Sequence, residues 1–551
     1  MASVETGSEV DLTGERKGLG ARAARIAKEH WPALLVIAFM AGAFFLRLYY
    51  LSKHTEYTAD SYYFLILARS IRDTFTYTVR GIAHTKYLPG YPIGIWLGSY
   101  IFGGLARSAN MIAVLGGTFT VLTTYLIGKE LLNKYVGLVA ALIIAFQPTF
   151  LKWTSLPMTE GMFTFLFSAG IYLLITGCRR ASPERRMLGA LAGGLCLLTR
   201  WEGLLFLPLM VLIPILYFRD SKLRVWEPVV MLALFGIPIG IYMIRNVIAT
   251  GKVTSYVGEY REYSTKVSFA VLKDRAKVYG WNGMSDALFS AFFYVGSVWF
   301  LVRRKWKAFL IVSGWFGLFL AFHLFWYYAY ERFMAPAAPA VAIAAGFLLV
   351  DLAFGVRKVA GTRGPLAARL EGARGEKFSR VFTIALQALG YTVLAGLLVL
   401  LVLHGAFRAN DVIAENYKAF ADDHGGKGMA QAADWLKQNA PGALVASDAG
   451  PYFQWEYPGD VLYLRPVPWD LPVEERDVAE PNLARKLLER GVRYVVIGQT
   501  DKGLEDELQA LGMGGGEITD YREAARWVNH YDYLEPHDMT TAVFEVLPQG
   551  R

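Results

Sequence analysis

Five side chains in this sequence have types and positions that suit group-transfer chemistry at a membrane surface. Asp60, in Thr58-Ala59-Asp60-Ser61-Tyr62-Tyr63-Phe64, is a carboxylate able to take a proton from an acceptor hydroxyl or amine. It also precedes a helical-looking run, Tyr62–Ile71, and so reads equally as a helix N-cap. Lys86, in His84-Thr85-Lys86-Tyr87-Leu88-Pro89-Gly90-Tyr91-Pro92, sits ahead of a stiffened segment. There it is suited to hold a lipid phosphate as a point charge, or to snorkel at the interface. Glu160 falls inside an apolar run and opens a helix, where the helix dipole favours a negative side chain. An idle charge at that depth is costly, which makes it a functional candidate. Arg200, in Leu198-Thr199-Arg200-Trp201-Glu202-Gly203, and Arg332, in Tyr330-Glu331-Arg332-Phe333-Met334, offer guanidinium forks for phosphate. Each has a glutamate beside it, so internal ion pairing is the competing reading. His54, His84 and His323 show no metal-ligand spacing to one another. No nucleotide-binding loop, serine-hydrolase elbow or zinc-type cysteine pair is present.

The elements that must position these residues are membrane helices. The chain has 551 residues, 54% hydrophobic and 19% charged, with two cysteines, Cys178 and Cys196, both in apolar runs. Charged residues fall below the quarter common in soluble domains, and the apolar excess gathers into runs of about 20 residues. This excludes a single soluble enzyme, a disordered chain and a disulfide scaffold. Eleven runs are expected to span the bilayer: 32–51, 110–131, 135–151, 158–178, 187–199, 203–218, 228–248, 285–302, 309–326, 334–354 and 381–404. With the N-terminus inside, 25 Lys and Arg fall in the inside segments, against three (Lys152, Arg200, Arg332) in the short outside loops. Short cytoplasmic loops are rich in Lys and Arg, so this asymmetry sets the orientation. It also accounts for most of the net charge of +9 without a nucleic-acid partner.

The expected architecture is a cytoplasmic segment (1–30), a membrane domain (31–404) with outside loops at 52–109 and 249–284, and a soluble extracytoplasmic α/β domain (405–551). In that last part Met429–Gln438 and Leu483–Glu489 read as helices. Ala443–Ser447, Val461–Leu464, Tyr494–Gly498 and Ala542–Val546 read as strands.

The order of Ala59-Asp60-Ser61-Tyr62-Tyr63, Lys86-Tyr87-Leu88-Pro89-Gly90-Tyr91-Pro92, Met158-Thr159-Glu160, Leu198-Thr199-Arg200-Trp201-Glu202-Gly203 and Glu331-Arg332-Phe333-Met334-Ala335-Pro336 resembles the GT-C superfamily of integral-membrane glycosyltransferases. It is most similar to the branch that holds protein O-mannosyltransferases and the aminoarabinose transferase of lipid A. The resemblance implies a GT-C-like fold of about eleven transmembrane helices in the plasma membrane. It implies transfer of a sugar from a polyprenyl-phosphate carrier, undecaprenyl or dolichyl, to a protein, lipid or glycan acceptor on the non-cytoplasmic face, with inversion. Asp60 and Glu160 are the expected catalytic carboxylates, and Lys86, Arg200 and Arg332 the donor-phosphate ligands. Tyr62, Tyr63, Tyr87, Glu202 and Glu331 are expected to line the sugar and acceptor pocket.

The sequence departs from the family in two places. Asp60 is followed by Ser61 where many relatives have a second acid, and Pro89-Gly90 stands where many have Pro-Pro. The Trp-Trp-Asp-x-Gly motif of oligosaccharyltransferases is replaced by Ser447-Asp448-Ala449-Gly450-Pro451, which disfavours transfer to asparagine. Their metal-linked acid has only a faint echo at Ser255-Tyr256-Val257-Gly258-Glu259, so no cofactor is expected, with a divalent metal as the alternative. The competing function is a transporter or flippase for polyprenyl-linked glycans. That class places ionisable residues at mid-membrane in repeated halves, and no such repeat is present.

Overall fold

The computed structural model describes residues 12–53, 57–255, 268–282, 287–326, 330–359, 366, 369–371, 376–424, 426–464, 487–531 except 501–520, and 537–547. A long helix α1 (Leu12–Lys53) is followed by α2 (Ala59–Thr74), a two-residue hairpin β1–β2 (Thr78–Val79, Ile82–Ala83) and α3 (Gly90–Phe102). Next come α4 (Leu105–Leu131), α5 (Lys134–Ala145), α6 (Pro148–Thr154), α7 (Glu160–Arg179) and α8 (Pro183–Thr199). A 3-10 turn, Trp201–Leu205, leads into α9 (Phe206–Leu216), then α10 (Phe218–Ser221) and α11 (Glu227–Thr250). The membrane part ends with α12 (Phe269–Ala276), α13 (Ala287–Val302), α14 (Trp306–Leu324), a 3-10 turn Glu331–Ala337 leading into α15 (Ala338–Val359), and α16 (Glu376–His424).

All eleven expected runs lie largely in helices, but fewer than eleven of those helices are by themselves long and apolar enough to be counted as full spans. Among the described residues seven helices are long and apolar enough to cross a bilayer, or eight if the bent pair α5–α6 counts as one. The expected run 135–151 breaks at Phe146–Gln147, where Gln147 caps the next helix and Pro148 takes its first position, and the two pieces meet at 62°. Proline at that position lacks only an N–H that the helix would not have used. The run around 203–218 is broken by the 3-10 turn at its start and stays short.

Burial separates interior helices from lipid-facing ones. About two thirds of the apolar window of α4, α7 and α15 is buried, against 28% for α11 and 6% for α16. Helices α4 and α7 approach closely because Gly116 faces the backbone of Gly161, and Gly161 faces the Ala113 carbonyl. A Cβ at either glycine would collide with the opposite helix. Small residues allow this approach, and packing then replaces the hydrophobic drive that lipid does not supply. The chain is that of an integral membrane protein.

The last helix, α16, continues without a break past the expected domain boundary at 404. It is followed by α17 (Gly426–Asn439), β3 (Val445–Ser447), α18 (Pro451–Glu456), β4 (Val461–Tyr463), β5 (Tyr494–Thr500), β6 (Tyr521–Tyr531) and β7 (His537–Val546). The sheet order is β4-β3-β5-β7-β6. Its first three strands are parallel, and β5, β7 and β6 run antiparallel. The four expected strands are present. Strand β6 was not expected: it lies at the sheet edge, and its polar sequence, Tyr-Arg-Glu-Ala-Ala-Arg-Trp-Val-Asn-His-Tyr, carries no apolar alternation. The expected helix Leu483–Glu489 is helical at 487–489, and its earlier residues lie outside the described ones.

Candidate active site at one end of the helix bundle

Asp60, Lys86, Glu160, Arg200 and Arg332 gather at the end of the bundle where α8 and α14 finish and α4 and α7 begin. Local sequence sets each position. Thr58 caps α2, its Oγ accepting the Ser61 N–H at 3.1 Å, which leaves Asp60 in the first turn rather than at the cap. Arg200 is the extended residue between α8 and the 3-10 turn. Arg332 lies in the 3-10 turn before α15.

A cleft of about 600 Å³ opens among these elements. It is lined by Asp60, Lys86, Tyr87, Arg200, Glu202 and Arg332 on its polar side, and by Phe64, Leu88, Met158, Trp201, Phe322, Trp326 and Phe333 on its apolar side. Both oxygens of Asp60 are engaged. Arg332 Nη2 donates to Oδ2 at 2.7 Å and the Tyr87 hydroxyl donates to Oδ1 at 2.6 Å. Burial alone would raise the pKa of this carboxyl, but Arg332, Tyr87 and the charge of Lys86 together outweigh it, so Asp60 is held below the ordinary aspartate range. It is therefore ionised at neutral pH.

Arg200 bridges two carboxylates. Its Nη1 lies 2.5 Å from Glu160 Oε1 and 2.9 Å from Thr159 Oγ, and its Nη2 lies 2.7 Å from Glu202 Oε1. His323 Nε2 is 3.6 Å from the same Glu202 oxygen, and the ring stacks on Phe333. Arg200 Nε and Trp201 Nε1 are buried and have no hydrogen-bond partner among the described residues. A buried donor left without an acceptor is costly, so these two N–H groups are unusual features of residues that line the cleft.

The segment that carries Lys86 is pinned through its backbone. The Tyr87 carbonyl accepts from the hydroxyls of Tyr77 (2.9 Å) and Tyr242 (3.0 Å). The His84 carbonyl accepts from Arg245 (2.8 Å), the Thr85 carbonyl from Thr254 (3.0 Å), and the Tyr87 N–H donates to His84 Nε2 (2.9 Å). The ammonium of Lys86 lies 5.5 Å from the centroid of the Tyr87 ring.

Several expected site residues have other places. Glu160 is wholly buried, is ion-paired with Arg200, and is not among the residues that line the cleft. The competing ion-pair reading describes both arginines as they stand, although Arg332 pairs with the distant Asp60 and not with its neighbour Glu331. Glu331 instead meets Lys152 at 2.9 Å, because adjacent residues of a 3-10 turn point about 120° apart. Tyr62 lies about 200° around α2 from Asp60. It packs against Tyr452 of α18, with ring centroids 4.3 Å apart, rather than into the cleft. Tyr63 is buried against His84 and Tyr87, also behind the cleft wall. Phe64, one helical turn after Asp60, takes the lining place. Tyr87 and Glu202 line the cleft as expected.

The sequence reading missed Arg245, although it is an ionisable residue in the expected run 228–248 and the same cost argument applies to it. Arg47, in the first run, was missed in the same way. It is fully buried and donates to Thr154 Oγ at 2.8 Å and to the Ala43 carbonyl at 3.1 Å. His54 and the acid Glu259 lie outside the described residues, and among the described residues no three His, Cys, Asp or Glu side chains are grouped so as to hold a metal ion.

Residues 84–244, which include Lys86, Glu160, Arg200 and Glu202, match the family model for dolichyl-phosphate-mannose-protein mannosyltransferase. No curated protein matches the chain. Among solved structures, ArnT from Cupriavidus metallidurans bound to undecaprenyl phosphate is 14% identical, with 92% of this chain and 97% of that one covered and a TM-score of 0.60. The archaeal oligosaccharyltransferase AglB from Archaeoglobus fulgidus, in complex with an inhibitory peptide and a dolichol-phosphate, is 14% identical, with 88% and 71% covered and a TM-score of 0.55. Residues 84–244 thus carry the mannosyltransferase family match within a GT-C glycosyltransferase fold, as the order of the sequence motifs implied.

Proposed function

We propose that this chain is a glycosyltransferase that takes a sugar from a polyprenyl-phosphate carrier and passes it to a protein, lipid or glycan acceptor. The N-terminus is cytoplasmic and the cleft faces the other side, as the Lys/Arg asymmetry argues. The observation that carries the reading is the convergence in one cleft of an ionised, hydrogen-bonded carboxylate, Asp60, with Lys86, Arg200 and unpartnered donors. The neighbours lend support, one holding undecaprenyl phosphate and the other a dolichol-phosphate.

In the proposed reaction the bond between the anomeric carbon and the phosphate oxygen breaks, and its electron pair leaves with the polyprenyl phosphate. Lys86 and the Arg200 guanidinium stabilise the charge gathering on that phosphate. The acceptor atom bonds to the anomeric carbon from the opposite face, so configuration inverts. Asp60, held at a fixed angle by Tyr87 and Arg332, orients the acceptor and takes its proton. No metal enters this scheme.

The test is release of sugar from a panel of polyprenyl-phosphate donors by the purified full chain in nanodiscs, with membrane extract as acceptor pool. Loss of a general base costs about 10²–10⁴-fold, so Asp60→Asn is expected to fall by that much while folding normally. Turnover of Asp60→Asn equal to that of the wild type refutes the role of Asp60. Donor lipid moved across vesicles without sugar transfer favours the transporter instead.

A further inference from the structure

We propose that Tyr452, in the C-terminal part of the chain, is a positioning residue for Asp60, so that the soluble sheet domain completes the active site rather than merely adjoining it. The proposal rests on the glycosyltransferase reading of the cleft. It starts from how α2 is held. Tyr57 and Thr58 lead directly into the turn that carries Asp60, and they have three anchors. The Tyr57 hydroxyl accepts from Asn110 of α4 at 2.8 Å. Thr58 Oγ contacts Met158 Sδ at 3.1 Å. The Tyr57 carbonyl accepts from the Tyr452 hydroxyl at 2.8 Å. The first two anchors belong to the membrane domain, and the third comes from the first turn of α18.

The Tyr452 ring does a second job. It lies against Tyr62, which in turn lies 5.7 Å from Tyr57. Tyr452 is 3% exposed and Tyr62 8%, so the contact is sealed from water. Tyr62 is two residues beyond Asp60, on the face of α2 turned away from the cleft. Pressing on that face fixes the rotation of the helix about its axis, and that rotation decides where Asp60 points. Rotation matters here because the Asp60 carboxylate is shared between Arg332 at 2.7 Å and Tyr87 at 2.6 Å, two donors from different elements.

The opposite end of α2 is docked to the same short helix. Arg69 donates to the carbonyls of Trp455 (3.0 Å) and Gln454 (3.5 Å), and its guanidinium lies 4.0 Å from the Trp455 ring centroid. Thus α18 grips α2 at both ends, and Arg69 serves as a control: it holds the same interface from more than two helical turns beyond Asp60. A contact that only docks the domain would give equal results at both ends. A contact that aims the carboxylate would give different ones.

The experiment compares Tyr452→Phe, which deletes one hydroxyl and keeps the ring on Tyr62, with Arg69→Lys in the full chain. Three readouts are taken: amide hydrogen exchange over residues 57–66, turnover at saturating lipid-linked donor, and the pH profile of that turnover. Small misplacements of a catalytic group cost about 10-fold or more in rate. Tyr452→Phe is expected to speed exchange in the first turn of α2 and to lower kcat by about 10-fold with the donor KM unchanged. Its turnover should also fail at a higher pH on acidification, because a looser Asp60 shares less of the Arg332 charge. Arg69→Lys is expected to leave the pH profile in place. Exchange over 57–66 equal to the wild type overturns the proposal whether or not any donor is turned over, as does faster exchange with unchanged kcat. Failure of the function itself reads differently: the wild type transfers no sugar, while the exchange comparison still reports on α2.

Discussion

Removing the charge of Arg200 should damage the protein more than removing that of Glu160, and the two effects should not add. Arg200 lies between two carboxylates, 2.5 Å from Glu160 and 2.7 Å from Glu202. Glu160 is wholly buried, and Arg200 and Glu202 are 11% and 13% exposed. A hydrogen bond to a charged group contributes about 1.5–3 kcal/mol, and a neutral one about 0.5–1.5. Glu160→Gln keeps a carbonyl that accepts from Nη1, and Arg200 keeps Glu202, so the expected cost is the difference, about 1–1.5 kcal/mol. Arg200→Gln strands two carboxylates at once. Breaking a buried pair from one side costs about 3–5 kcal/mol, and that range is expected here. The double variant removes one of the stranded charges, so it should be less damaged than the sum by about 1–3 kcal/mol. The assay is unfolding by titration with sodium dodecyl sulfate in mixed micelles, followed by tryptophan fluorescence, with donor turnover measured on the same samples. Additive losses, or Arg200→Gln as stable as Glu160→Gln, would refute the bridge.

Three other outcomes follow from the same geometry. Lys86→Ala should weaken binding of a polyprenyl phosphate by about 10–100-fold, the worth of one charge-assisted hydrogen bond, with the unfolding midpoint unchanged; a titration giving the wild-type Kd removes Lys86 from the phosphate site. Arg332→Gln takes away the main opponent of burial at Asp60, whose pKa lies below its unfolded value. The stabilising contribution of that carboxylate is present above the ordinary aspartate pKa and lost as pH falls through the depressed one. In the variant the loss of turnover on acidification should therefore begin at a higher pH, and a profile that superimposes on the wild type contradicts the pairing. Gly161→Ala places a methyl group against the Ala113 carbonyl across the α4–α7 crossing and should cost about 1–3 kcal/mol, the usual penalty for overpacking. The same detergent titration reads it, and an unshifted midpoint would mean the helices separate freely.

The candidate residues were legible one by one because a charge at or inside the edge of the bilayer is costly and stands out. Their partnerships were not. Glu331 adjoins Arg332 in sequence, yet Arg332 turns to Asp60, 272 positions away. Sequence proximity made Glu202 a fair partner for Arg200, but nothing in it pointed to Glu160 as the second one. The apolar runs were equally visible, whereas their division into full spans and short helices was not. Breaks such as that at Gln147-Pro148 depend on a cap and a bend that hydropathy averages away.

The sequence alone determined that the chain lives in a membrane, which of its ends carries the basic residues, and which few ionisable side chains sit at the opposite end. Those properties are sums over local composition, and they survive any arrangement of the helices. The tertiary structure alone decided that α2 turns Asp60 and Phe64 into the cleft and Tyr62 away from it, that Arg200 is shared by two acids, and that a tyrosine from the terminal domain reaches the start of the same helix. These depend on helix rotation and on contacts between segments up to hundreds of residues apart, which packing sets and linear order does not encode in any single motif.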